Sequence, residues 1–128
     1  MQNEHGEYSI NVVGNTVIVE LSGAWNVTTS IAAKEHYINT VNEMNFEHFA
    51  VFLDFSQWEL AEQEVFEVFK SIARWSDNHS QKYLVFVPGL GIHNYVMKDV
   101  FDQLEQCEVY VASCKKDGYN FLKRNQML

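Results

Sequence analysis

Apolar residues alternate at Tyr8, Ile10 and Val12, Gly14 and Asn15 follow, and the next stretch carries Val17, Ile18, Val19 and Leu21. Two such runs joined by a two-residue turn predict a β-hairpin. Thr28-Thr29-Ser30 then offers N-cap hydroxyls, and Ile31, Tyr37, Ile38, Val41 and Met44 recur at helical spacing, so a helix is expected over roughly 29–44. Phe49 to Leu53 is continuously apolar and closed by Asp54, the pattern of a strand covered on both faces. Ser56-Gln57-Trp58-Glu59 has capping-box spacing, but the period of Val65, Phe66, Phe69, Ile72 and Ala73 begins later. A second helix is therefore expected to start between 57 and 62 and to end near Trp75 or Ser76. Tyr83 to Val87 reads as another buried strand, stopped by Pro88-Gly89. Tyr95, Val96, Val100, Phe101 and Leu104 mark a third helix, Val109 to Ala112 a last strand, and Asp117 to Arg124 a short terminal helix.

A hairpin followed by alternating helices and strands implies an α/β fold. The expected sheet is mixed, of about five strands, with the first antiparallel, the rest parallel, and about four helices around it. At 128 residues one core suffices, and residues 1–128 are expected to form a single domain. The start, Met1 to Glu7, carries acids where a signal peptide carries bases, and no run reaches the ~18 apolar residues of a membrane helix. Two cysteines, Cys107 and Cys114, allow at most one bridge and fit a reducing cytoplasm, where both read as small buried hydrophobes. The formal charge of −8 repels phosphate backbones, so nucleic acid is not an expected partner. A hydrophobic share of 47% is more than one core needs, so some apolar side chains are expected to face outward.

The candidate chemistry is sparse. His5, His36, His48, His79 and His93 lack the spacings of a metal site, and no metal or other cofactor is expected. Gly-x-Ser-x-Gly is absent, and acid pairs such as Glu62 and Glu64 lie two apart, on different faces of a helix. Pro88-Gly89-Leu90-Gly91 follows a strand and opens a helix, where backbone N–H groups can cradle a phosphate, but its third glycine is missing. A simple turn is the better reading. Around it stand Leu90, Ile92, Tyr95 and Met97, which either staple the helix to the core or form an apolar lip. Trp25 and Trp58 follow the second and third strands, at the carboxyl ends where open α/β sheets bind ligands. Both are expected in loops, serving either packing or contact with a ligand or membrane. Trp25, Trp58, Leu90, Ile92 and Tyr95 are thus the candidate contact residues.

The element order, Gly23 after the second strand and Val51-Phe52-Leu53-Asp54-Phe55-Ser56 closing the third resemble the SpoIIAA-like, or STAS, domains of anti-sigma-factor antagonists. More distantly, they resemble the lipid-binding Sec14/CRAL-TRIO fold. The resemblance implies sequential parallel strands and a regulatory, non-enzymatic role. In that family a serine turn at a helix start is phosphorylated to switch partner binding; its position corresponds here to Glu62-Gln63-Glu64, where no hydroxyl can accept phosphate. Glu64 would supply a permanent negative charge, favourable at a helix N-terminus. The expected partner is an apolar small molecule, a lipid or membrane surface, or a protein, and a homodimer is compatible with the family. Expected location is the cytoplasm, with peripheral contact at the inner membrane face as the membrane role left open. Lys115, Lys116, Lys123 and Arg124, four of nine bases, would orient such contact weakly. The alternative is a small enzyme or enzyme subunit with its site in the loops at the strand carboxyl ends.

Overall fold

The computed structural model describes residues 6–128. The hairpin forms as β1 (Glu7–Val13) and β2 (Thr16–Trp25), with Gly14 in its turn at φ 58°, a left-handed conformation that suits glycine. Next come α1 (Val27–Met44), β3 (Phe49–Ala61), α2 (Gln63–Asp77), β4 (Gln81–Val87), α3 (Gly91–Val96), α4 (Lys98–Phe101), β5 (Glu108–Val111) and α5 (Lys115–Arg124). The sheet order is β1-β2-β3-β4-β5, with β1 antiparallel to β2 and every later pair parallel, as the alternation implies.

Several boundaries depart from the sequence reading. Asn26, not the Thr28-Thr29-Ser30 run, caps α1: its side chain accepts from the Thr29 N–H at 2.9 Å, so the helix starts earlier. Among the described residues five helices replace the expected four or so, because the third helical stretch is interrupted at Met97, whose backbone sits at φ −90°, ψ −4° and whose side chain is buried. The cysteines flank β5 and are both free. Cys107 is half-buried, its thiol pushed up to about 12 by burial and then by Asp77 and Glu108. Cys114 is exposed at the start of α5 and is not the buried hydrophobe expected of it.

Two cores divide the molecule. On one face of the sheet α1, α2 and α4 cover Val17, Val19, Leu21, Val51, Phe55 and Phe86. On the other, α5 alone covers Ala50, Phe52, Val85 and Val87 through Phe121 and Leu122. Period-two alternation assigns odd-numbered residues of β3 to the first core and even-numbered ones to the second. Trp58 should then point toward α5, yet it lies in the first core. The register explains why: Glu20 pairs with Asp54 but Ser22 with Gln57, so β3 carries an extra residue there. That bulge reverses the parity as far as Trp58, and a second extra residue follows in β3, where Gly23 pairs with Trp58 but Trp25 with Ala61.

Asp54 holds the bulge. Its Oδ1 accepts from the Ser56 N–H at 2.8 Å and its Oδ2 pairs with Lys115 Nζ at 3.1 Å. The carboxylate is buried, whereas Lys115 is half-exposed and lies 3.7 Å from Glu20. A cation in the first turn of α5 opposes the helix dipole. Lys115 is explained by its partner, and the hydrogen bond and charge of Asp54 raise its pKa. Asp54→Ala is expected to cost about 2–4 kcal/mol in urea denaturation, since two charge-assisted bonds go and the Ser56 N–H loses its acceptor. Asp54→Asn keeps that acceptor and is expected to cost about half as much; equal losses would mean that the bulge does not depend on this hydrogen bond.

Candidate functional site

The carboxyl ends of β2, β3 and β4 share one rim because these strands are parallel. β2 and β3 run further than their sequence suggests, and the tryptophans expected in loops lie inside them. Trp25 is 3% exposed and Trp58 2%. They do converge, but inward: their rings stand 5.9 and 6.0 Å from that of Phe69 on α2. Neither reaches the surface, which corrects their expected placement in exposed loops; Trp25 instead lines an apolar cavity beneath the sheet. The cause is the bulge, which turns Trp58 into the core, together with the length of β2, which carries Trp25 there.

The turn after β4 behaves differently. Leu90, Ile92 and Tyr95 are 53%, 47% and 80% exposed, while Met97 is buried. Three of the four apolar residues around this turn are thus exposed, and Met97 is packed in the core. Leu60, near the end of β3, is also exposed. Exposed acids border the rim, with Glu59 on β3 and Glu62 and Glu64 at the start of α2.

His93, which the sequence offers only as one of five scattered histidines, fastens this turn. Fully buried, its Nδ1 accepts from the N–H groups of Gly89 at 3.0 Å and Leu90 at 3.1 Å. Two donors aimed at Nδ1 put the proton on Nε2, which donates to the Glu59 carbonyl at 3.3 Å. The ring packs against Phe55 and Trp58. Burial lowers the pKa of His93, opposed by the bond to Glu59. Here the phosphate-cradle reading ends, because the N–H groups that would hold an anion already serve the imidazole. Gly89 has a separate reason to be glycine: a Cβ there would stand 2.5 Å from the Phe55 carbonyl oxygen and 2.9 Å from that of Ser56. A Cβ on Gly91 would meet nothing within 4 Å.

At the start of α2, Glu62 occupies the N-cap but does not cap its own helix. Its N–H donates to the Trp25 carbonyl at 3.3 Å and its Oε1 accepts from Val27 N–H, in the first turn of α1, at 3.4 Å. Gln63 and Glu64 are exposed in the first turn of α2. Among the described residues, Trp58 Nε1 is the one buried side-chain polar atom without a hydrogen-bond partner. Among them, too, no cluster of three His, Cys, Asp or Glu side chains could hold a metal; His5 lies outside the described residues. The bases of α5 do not gather at one end of the helix. Lys115 and Lys116 open the helix and Lys123 and Arg124 close it, about 13 Å apart at 1.5 Å per residue. No described helix is long and apolar enough to cross a membrane.

The sequence matches no protein-family model and no curated protein. Solved structures do resemble it. An uncharacterised protein of the DUF3478 family from Shewanella loihica, with a SpoIIAA-like fold, superposes with a TM-score of 0.73 at 7% identity, over 95% of this chain and 98% of that one. The anti-sigma factor antagonist SpoIIAA in its unphosphorylated form gives 0.67 at 7% identity, over 92% and 97%. The murine Solute Carrier 26 family member A9 anion transporter gives 0.63 at 13% identity, over 97% of this chain and 23% of the transporter. The fold is SpoIIAA-like, as the Asp54-Phe55-Ser56 resemblance implied.

Two measurements test the latch. Gly89→Ala is expected to destabilise by about 1–3 kcal/mol, because its Cβ meets backbone that cannot swing aside, whereas Gly91→Ala is expected to be neutral or slightly stabilising. Equal effects would show that the turn is not packed against β3. His93 is neutral in the fold and more basic when unfolded, so its contribution is complete above about pH 6.5 and is lost as pH falls below that value. Urea midpoints between pH 7 and 5 are expected to decline for the wild type by up to about 1.4 kcal/mol per pH unit from this group. The decline should be shallower for His93→Gln, whatever that variant's absolute stability, and parallel slopes would remove His93 from the account.

Proposed function

We propose that this chain is a non-enzymatic binding domain that docks a protein partner on the rim at the carboxyl ends of its strands. The observation that carries the reading is the exposed trio Leu90, Ile92 and Tyr95 on a turn that His93 and Gly89 hold rigid. Exposed apolar side chains on a fixed loop are organised for contact, since little ordering remains to be done on binding. Their setting selects the partner. Glu59, Glu62 and Glu64 put exposed negative charge on the same rim as the apolar trio, which complements a protein surface with an apolar centre and basic flanks. An anionic membrane fits less well, given the net charge of −8 and the separation of the α5 bases.

The family's serine turn maps to this rim as Glu62-Gln63-Glu64, so the patch has a permanent charge in place of one added by phosphorylation. A small enzyme working at the same loops finds less support, because both nitrogens of His93 are spent on backbone and Glu62 is engaged with Val27.

In-cell crosslinking of the wild type against Leu90→Ser/Ile92→Ser/Tyr95→Ser tests the proposal. The triple variant is expected to keep its stability within about 0.5 kcal/mol per site, as exposed positions do, and to lose at least about tenfold in partner capture. A control altered at exposed Val13 and Val111 should retain capture. Capture that survives the triple substitution rejects the rim, and wild-type flotation on phosphatidylglycerol vesicles that the triple variant loses would replace the protein partner with a membrane.

A further inference from the structure

A cavity of about 90 Å³ lies between the sheet and the layer of α1, α2 and α4. Val19 and Leu21 of β2, Leu84 of β4, Ala33 of α1, Ala73 of α2 and Val100 of α4 help to line it. Its origin is in the sequence: Ala33, Ala73 and Ser76 are small residues at positions where helices facing a sheet ordinarily place large ones. Protein interiors hold few voids larger than a water molecule, and one water needs only ~10–15 Å³.

The polar side chains at the cavity turn to one another or to backbone, and the surface they leave is almost wholly apolar. Tyr37 Oη and Ser76 Oγ bond each other at 2.7 Å, Gln81 Nε2 donates to the Tyr83 carbonyl at 3.2 Å, and Trp25 Nε1 donates to the Ser22 carbonyl at 3.1 Å. Burial pushes the Tyr37 phenol well above its usual range, against the bond to Ser76, so it stays neutral. No Lys, Arg or His contributes to the lining. A water needs two to four polar partners, and apolar voids without them stay dry and accept apolar guests.

We infer that this cavity is a binding site for one small, neutral, apolar molecule, such as a short hydrocarbon. Size limits the guest, since an engineered cavity that takes benzene measures ~150 Å³. Charge limits it too. A carboxylate carried in with the apolar part would meet no cation, and a buried unpaired charge is strongly disfavoured. The site is independent of the rim proposed for a protein partner, because its lining lies under α1, α2 and α4 and includes none of the exposed trio.

Methyl-resolved NMR under xenon pressure tests the inference on the intact chain. Saturable shifts are expected at the methyls of Val19, Leu21, Leu84 and Val100, with cyclopropane reproducing them and butyrate not. Ala73→Leu, which places a side chain in the void, should weaken xenon binding by about tenfold or more, while Leu90→Ser/Ile92→Ser should leave it unchanged. Ala33→Val provides the same comparison if Ala73→Leu does not fold. Absence of saturable shifts at these methyls in the wild type overturns the site, as does undiminished binding by a folded cavity-filling variant. Butyrate binding as tightly as cyclopropane overturns the neutral class.

Discussion

The arrangement at the carboxyl ends of the strands depends on the carboxylate of Asp54. One oxygen closes a tight turn onto Ser56 and the other reaches Lys115, so a buried charge is satisfied from its own strand and from the opposite layer. The turn accommodates the extra residue in β3, and that residue decides which way Gln57 and Trp58 face. Trp58 swings into the larger core, Gly89 can lie against the Phe55 and Ser56 carbonyls, and the Glu59 carbonyl comes within reach of His93. Without the bulge the Trp58 side chain would face the other layer.

His93 shows how a turn at the start of a short helix becomes rigid. An imidazole with one acceptor and one donor bridges the N–H groups of the turn and a carbonyl of the neighbouring strand. Protonated, it would present a second donor to two donors, so the same geometry that fixes the turn also keeps the ring neutral. The latch explains how Leu90, Ile92 and Tyr95 can remain exposed. Free to move, such side chains would fold back onto the nearest apolar surface; held by backbone bonds beneath them, they stay in water.

Much of this architecture is legible in the pattern of residues. The hairpin at Gly14-Asn15, the buried runs at 49–53 and 83–87 and the helical period of Val65 to Ala73 specify the elements, and their alternation specifies a mostly parallel sheet. The rim was less legible for identifiable reasons. Periodicity assumes an unbroken strand, so it misplaces Trp58 once β3 takes an extra residue. Capping-box spacing at Ser56 to Glu59 is a local signal, overridden by strand pairing that runs on to Ala61. The role of His93 depends on Glu59, 34 positions away, and no local spacing reveals such a contact. Leu90, Ile92 and Tyr95 were findable because polar loops are the rule, and three large apolar residues crowded beside a Pro-Gly turn depart from it.

The two layers differ in a way that bears on function. The α5 side is a thin, closed core, with Gly118 so tight that a Cβ would stand 2.7 Å from the Phe52 ring and 2.8 Å from Val85. The α1–α2 side carries small residues where its helices meet the sheet, which leaves an apolar void. Close packing on one face can hold the sheet in shape while looser packing is tolerated on the other. The latched turn belongs to the looser side, through Trp58, Phe55 and His93, while the charge that sets its geometry is anchored on the tighter one, through Lys115. Asp54 thus ties the bulge of β3 to the closely packed layer, while the turn that meets the strand beyond it packs on the looser one.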